Sequence, residues 1–379
     1  MSTTERPTRD VTLPATESAL PARGRLRQAR LPLLVAAIAV FVALLPQLQL
    51  SLPGVLPGPT WTPGSLQLLA VCLLIGALAV TYNLVFAVTG MLSFGHALYF
   101  ALGCYVFAML LEHARLAILP AALLTLLIGS ATALLIGLVS LRVTGIAFAM
   151  VTLAFAQAGS VLALRNVHGL TGGEEGLGLP SARLPASLVG VDNTQNLYWI
   201  SLAVAVTVLA AVGWIVASRA GHLMLAVRDN ELRVQALGIR PYLVRLMSFT
   251  ASGCLATLIG MAYLLVQGGA SPQITTSSFT LTLLVMVVLG GLGSRWGAML
   301  GGVIYTLLDQ RLAVLASSSQ VAGLARPLRV PLSQPTFLLG VLFVVVVLFL
   351  PGGLTGTIAR LRGRFDRAPL AELSQQEAR

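Results

Sequence analysis

The side chains able to do chemistry in this chain are few, and their spacing assembles no reaction centre. The four histidines and three cysteines (Cys72, Cys104, Cys254) form no metal-ligand spacing, and the cysteines sit inside apolar runs as small hydrophobes rather than as a disulfide framework. No paired carboxylates and no nucleophile–base constellation appear, so catalysis in this chain and a bound metal are both set aside. All 24 basic residues are arginine. A phosphate-cradling P-loop needs a lysine to reach the β and γ phosphates, so the chain cannot build one. What remains is a polar island, RAGHLMLAVRDNELRVQALGIR, from Arg219 to Arg240, carrying Arg219, Arg228, Arg233 and Arg240 with Asp229 and Glu231. The apolar runs before it (197–217) and after it (246–266) carry no charge at all.

The elements that position this island are set by composition. With 56% hydrophobic residues, 10% charged residues and a mean hydropathy of +0.88, the chain has too little charge for a soluble domain. It reads as an all-α polytopic membrane protein. A net charge of +11 would suit nucleic acid, but the arginines collect beside apolar spans, as topology determinants do, so no nucleic-acid partner is expected.

A membrane helix needs roughly 20 apolar residues, and that ruler predicts about ten spans: 31–50, 65–86, 91–111, 116–141, 145–165, 196–217, 243–267, 279–293, 297–316 and 335–350. An arginine-rich leader (1–30) precedes them and a tail (351–379) follows. The chain thus divides into leader, transmembrane domain (31–350) and tail. With the leader inside, alternation puts both termini, Arg142, Arg295 and the coupling loop 218–242 in the cytoplasm, and the long loop 166–195 outside. No span requires an arginine at the bilayer centre, where it would cost about 2.5–3.5 kcal/mol.

Four segments are candidates for function. Ala226 to Ile239 predicts one or two short surface helices ended by Gly238, either docking in a groove on a partner or forming an ordinary solvated loop. Val88 to Tyr105 (VTGMLSFGHALYFALGCY) is either a discontinuous helix lining a route, with Thr89, Ser93 and His96 as its polar groups, or a tight helix contact in which a neighbouring helix satisfies His96. Val287 to Gly302, with Gly290 and Gly291, is a broken helix or tight inner hairpin beside the route, or a plain glycine contact. The outer loop HGLTGGEEGLGLP (168–180) is expected to be flexible, with Glu174 and Glu175 as a negative tip that meets a partner or merely solvent. Only Asp309 is a candidate intramembrane acid, which counts against a transporter powered by protons or sodium.

Five stretches in order, AVTGMLSFGHALYFALGCY, LRVTGIAFAMVTLAFAQ (Leu141–Gln157), LTGGEEGLGLP (Leu170–Pro180), AVRDNELRVQALGI (Ala226–Ile239) and MVVLGGLGSRWGAMLGG (Met286–Gly302), resemble the LivM-type permeases of bacterial branched-chain amino-acid ABC importers. The resemblance runs from about Leu66 to Leu308. It implies a multi-pass protein of the bacterial inner membrane, working with a second homologous permease, two ABC ATPase subunits and a periplasmic solute-binding protein, all within membrane lipid. It implies that the ATPases bind ATP and Mg, leaving this chain without a cofactor; some relatives carry an ATPase fused at the C-terminus, for which this chain is expected to end too soon. Arg228, Asp229, Asn230, Glu231, Gln235, Ala236 and Gly238 would form the ATPase-docking segment. Thr89, Ser93, His96, Gly290 and Gly291 would line the route, and Glu174 and Glu175 would meet the binding protein. Closely similar permeases import urea and short-chain amides, so branched-chain or other hydrophobic amino acids are the first of two substrate classes. A self-powered secondary transporter and a non-transporting scaffold are the readings of other classes.

Overall fold

The computed structural model describes residues 42–48, 56–180, 184–188, 190, 193–316, 334–349 and 352–357. Residues up to Leu44 belong to one compact unit and Leu45–Arg379 to another; the elements that carry the site all lie in the second. The leader, nearly all of the expected span 31–50, Glu174's neighbours at 181–183 and the tail beyond 357 fall outside the described residues.

The second unit is built of helices. In chain order they are α1 (Pro63–Asn83), α2 (His96–Glu112), α3 (Ile118–Ser140), α4 (Ile146–Arg165), α5 (Thr194–Ala217), the short α6 (Arg219–Asp229) and α7 (Glu231–Ala236), then α8 (Pro241–Gln267), α9 (Ser277–Gly290), α10 (Arg295–Ala316) and α11 (Pro335–Phe349). Among the described residues six helices are long and apolar enough to cross a membrane, α1 being counted there with the wide turn that follows it. The helices α2, α9 and α11 are apolar but shorter. Among the described residues a single two-residue pairing, β1 (Leu177–Gly178) with β2 (Gly269–Ala270), ties the long loop to the end of α8.

The core is centred on α1. Proline suits its first turn, where an N–H would be orphaned anyway. The helix is apolar all round and buried on nearly every side, with Ala70, Leu74, Ala77 and Leu78 fully enclosed. It packs against α5, α8, α9 and α10, while α2 packs against α8 and α3. Lipid tails give helices no hydrophobic reason to associate, so close backbone approach must supply dispersion instead. Glycine makes that possible here. A Cβ at Gly103 of α2 would run into the Thr257 carbonyl of α8, and one at Gly260 of α8 into the Phe100 carbonyl of α2. The outward faces of α3 and α4 remain apolar and open, with Leu119 71%, Leu123 64% and Ile146 79% exposed, as suits a lipid-facing surface.

Two expected spans shorten. The span drawn at 91–111 becomes helical only at His96, because Gly90 adopts a left-handed backbone (φ +76°) and residues 91–95 run without helix. Its 17 residues reach about 25 Å at 1.5 Å each, so the preceding non-helical segment must make up the rest of the crossing. The span drawn at 279–293 stops at Gly290, since Gly291 (φ +113°) turns the chain.

Candidate functional site

The island folds as two helices divided at Asn230. Ser218 caps α6, its hydroxyl accepting from the Gly221 N–H at 3.4 Å. Asn230 is extended (φ −158°), which ends α6, and its side-chain oxygen accepts from the Arg233 N–H at 3.0 Å, which starts α7. Met224, Val227 and Val234 face inward at 2–3% exposure and seat the pair on the bundle. Leu232 and Leu237 point the other way, 76% and 77% exposed. Gly238 (φ +78°) ends the segment, as its sequence position predicts.

The predicted docking residues divide into two sets. Asp229, Arg233, Gln235, Ala236 and Gly238 are exposed, and Asn230 spends its side chain on the cap. Arg228 is exposed as well, and it and the partly buried Glu231 also bond back to the chain's own bundle. Glu231 accepts from both terminal nitrogens of Arg245 on α8, at 2.8 and 3.2 Å. Arg228 donates to the Ala87 carbonyl at 2.5 Å, and its aliphatic arm lies over Gly90.

That carbonyl belongs to the break after α1. Leu84–Val88 form one wide π-helical turn, closed by the Thr89 N–H on the Leu84 carbonyl (3.2 Å), and such turns leave the backbone ladder irregular. Residues 89–95 then lead to α2. Thr89, Ser93 and His96, predicted to line a route, are 1–2% exposed and held inside the chain. The Thr89 and Ser248 hydroxyls lie 2.6 Å apart, and His96 Nε2 lies 2.9 Å from the Thr81 hydroxyl, so a neighbouring helix does satisfy the histidine. The Ser93 carbonyl accepts from the Tyr82 hydroxyl at 3.1 Å, and Thr152 of α4 accepts from the Phe94 N–H at 3.1 Å. The break is therefore clamped by α4, α6 and α8 together.

Gly290 and Gly291 sit in the α9–α10 hairpin. A Cβ at Gly290 would strike the Gly297 carbonyl, so this is a backbone seam between the two helices and a tight turn, the hairpin reading of the segment. The turn leans on the break as well, because the Gly293 N–H donates to the Asn83 side chain at 3.1 Å.

At the opposite end of the bundle, residues 166–180 of the loop after α4 follow a hydrogen-bonded path. Asn166, in a left-handed conformation, accepts from the Thr171 and Gly172 N–H groups at 3.0 Å each. Its glycines serve turns, Gly172 facing the Gly176 carbonyl too closely for any side chain. Glu174 and Glu175 are exposed on a short 3₁₀ turn. Among the described residues no group of three His, Cys, Asp or Glu side chains lies together to hold a metal.

A bundle of helices long and apolar enough to cross a membrane, with a clamped break and a two-helix polar handle, has the architecture of a multi-pass integral membrane protein. The chain belongs to the family described as branched-chain amino acid transport system / permease component, whose profile matches residues 64–350. It is similar to the high-affinity branched-chain amino acid transport system permease protein LivM of Salmonella typhimurium, 27% identical over 263 residues, which cover 64% of this chain and 62% of that protein. The match therefore spans less than two thirds of the LivM relative's length. The permease LivH of the same organism and transport system is 26% identical over 281 residues, 69% of this chain and 90% of LivH. The autoinducer 2 import system permease protein LsrC of Escherichia coli is 26% identical over 186 residues, 47% of this chain and 49% of LsrC.

Proposed function

We propose that the chain is the transmembrane permease subunit of an ABC importer of the bacterial inner membrane, moving branched-chain or other hydrophobic amino acids inward while separate subunits hydrolyse ATP. The observation that carries this reading is the island. Two leucines more than three-quarters exposed, Leu232 and Leu237, stand out from short helices whose inner side is bolted to the bundle. Large apolar side chains displayed among charged ones are what a groove on a partner takes up. Behind them Arg228 reaches the break after α1 directly. Closure of an ATPase pair would move the leucines, and Arg228 would carry that motion to the break.

Orientation is part of the proposal. Among the described residues Arg142, Arg219, Arg228, Arg233, Arg240, Arg245 and Arg295 lie at the island end, against Arg115, Arg165 and Arg311 at the other. Arginine near span ends resists translocation, which favours the island end in the cytoplasm. Glu174 and Glu175 then face the periplasm, where they would meet a solute-binding protein. LivM and LivH carry the name of one transport system, which supports pairing with a second, related permease.

The test is reconstitution in proteoliposomes. Uptake of leucine that needs ATP, the ATPases and the binding protein is expected; uptake by this chain alone on a proton or sodium gradient would overturn the reading. Uptake of urea or short amides in place of amino acids would leave the class standing and change the substrate.

A further inference from the structure

Beside the clamped break lies a cavity of about 340 Å³ at the island end, with walls formed by the break itself, the α3–α4 turn and the first turn of α4. That volume is near the lower end of cavities that enclose small ligands. Met91, Leu92, Phe94, Ile146 and Met150 make the lining mostly apolar, and Arg245 is the only charged residue in it. Both terminal nitrogens of Arg245 donate to Glu231, while its buried Nε has no hydrogen-bond partner among the described residues. The two side chains are 19% and 35% exposed, and of the pair Arg245 alone lines the cavity, so an ion entering there meets Arg245 first.

We infer that this cavity is an inner-side binding site for a free aliphatic amino acid, which inserts its charged end between Arg245 and Glu231 and its side chain among the apolar walls. The charges balance group by group. The carboxylate of the ligand takes the terminal nitrogens of Arg245, and its ammonium takes the carboxylate of Glu231 that they release. An aliphatic tail then fills the space lined by Met91, Phe94 and Ile146. A fatty acid or phospholipid fits less well. It would occupy Arg245 but leave Glu231 without a cation, and one guanidinium already shared is a poor match for a phosphate.

Occupancy would have a consequence for transport. Glu231 is the first residue of α7, and its bond to Arg245 is the tie between α7 and α8. An amino acid that inserts there loosens the handle, so solute accumulated inside would slow its own import. This rests on the reading of the chain as an importer with its island in the cytoplasm.

The experiment uses the complete permease–ATPase complex in nanodiscs without the binding protein, with radiolabelled leucine and 4-methylpentanoate, which lacks the amine, as probes. Saturable leucine binding is expected, weakened at least about tenfold by Arg245→Gln and by Met150→Trp, which crowds the mouth; the second variant alters an exposed side chain and guards against misfolding of the first. Loss of one charge-assisted hydrogen bond accounts for a factor of that size. Glu231→Gln should reverse the preference, so that 4-methylpentanoate binds better than leucine. In proteoliposomes, leucine preloaded on the ATPase side should slow ATP-driven uptake in the wild type and much less in Met150→Trp. Leucine binding unchanged in both Arg245→Gln and Met150→Trp, or displaced equally by anionic phospholipid, would overturn the inference. ATP-driven uptake that persists without such binding would refute this site alone, whereas absence of any ATP-driven uptake would refute the function on which it rests.

Discussion

The contact between Arg228 and the break offers a quantitative test through a pair of substitutions, Gly90→Ala and Arg228→Ala. Gly90 has φ +76°, a conformation that costs an L-residue about 1–2 kcal/mol. A Cβ there would also lie 3.0 Å from Cγ of Arg228, so the arginine arm must shift by a few tenths of an ångström. That shift strains the bond from its guanidinium to the Ala87 carbonyl. A charge-assisted bond of this kind contributes about 1.5–3 kcal/mol when buried, and the exposure of Arg228 reduces this to about 1 kcal/mol. Gly90→Ala alone should therefore destabilise by about 2–3 kcal/mol and Arg228→Ala alone by about 1 kcal/mol, the backbone and hydrogen-bond contributions being those just given. The double variant should match Gly90→Ala, because the truncated arm no longer meets the new methyl. The expected coupling is about 1 kcal/mol, read from denaturation of the purified full chain in a double-mutant cycle. Strict additivity, within about 0.3–0.5 kcal/mol, would show that the arm does not bear on Gly90 and would refute the mechanical link.

Other outcomes follow from the same contacts. Leu232→Asp and Leu237→Asp, both at exposed positions, should abolish retention of the ATPases in pull-down while leaving membrane insertion and thermal stability within about 0.5 kcal/mol of wild type; intact pull-down would move the docking surface elsewhere. They are cleaner probes than Glu231→Arg, which is also expected to stop uptake but breaks the partly buried pair to Arg245, itself contributing about 1 kcal/mol. Gly103→Leu should cost about 3 kcal/mol or more through overpacking against the Thr257 carbonyl, seen as a lower detergent melting temperature; a stability equal to wild type would mean that the α2–α8 seam is not close-packed. Glu174→Arg with Glu175→Arg should weaken docking of the solute-binding protein, measured as a raised half-saturating concentration of that protein for uptake, and an unchanged value would remove these residues from the interface.

Much of the bundle was legible in the chain because the span ruler depends only on apolar length. The ends of α3, α4, α5, α8 and α10 fall within two residues of the expected boundaries, helped by signals such as Pro241 at the first position of α8 and Gly268 just past its end. The island's position was legible too, since dense charge between apolar runs has to reach water. What could not be read was partnership across the chain. Nothing local distinguishes Arg228, which reaches back 141 residues to Ala87, from Arg233, which points outward. The exposed and seated leucine and valine positions were likewise not separable, because Asn230 resets the helical phase between Val227 and Val234. The glycines of the outer loop suggested flexibility, whereas Asn166 and the pairing of Leu177 with Ala270 give that loop a defined path. Thr89, Ser93 and His96 read as polar groups near a span end, and in the bundle that polarity is spent on holding the break in place.

The most direct test of the account is site-specific crosslinking at the island during turnover. With cysteine introduced as Leu232→Cys in a chain whose Cys72, Cys104 and Cys254 are replaced by serine, crosslinks to the ATPase subunits should form efficiently and change in yield when ATP is bound, in step with ATP-driven amino-acid uptake by the same vesicles. Uptake that proceeds while Leu232→Cys stays freely reactive to a membrane-impermeant thiol reagent from the ATPase side, with no crosslink in any nucleotide state, would contradict it.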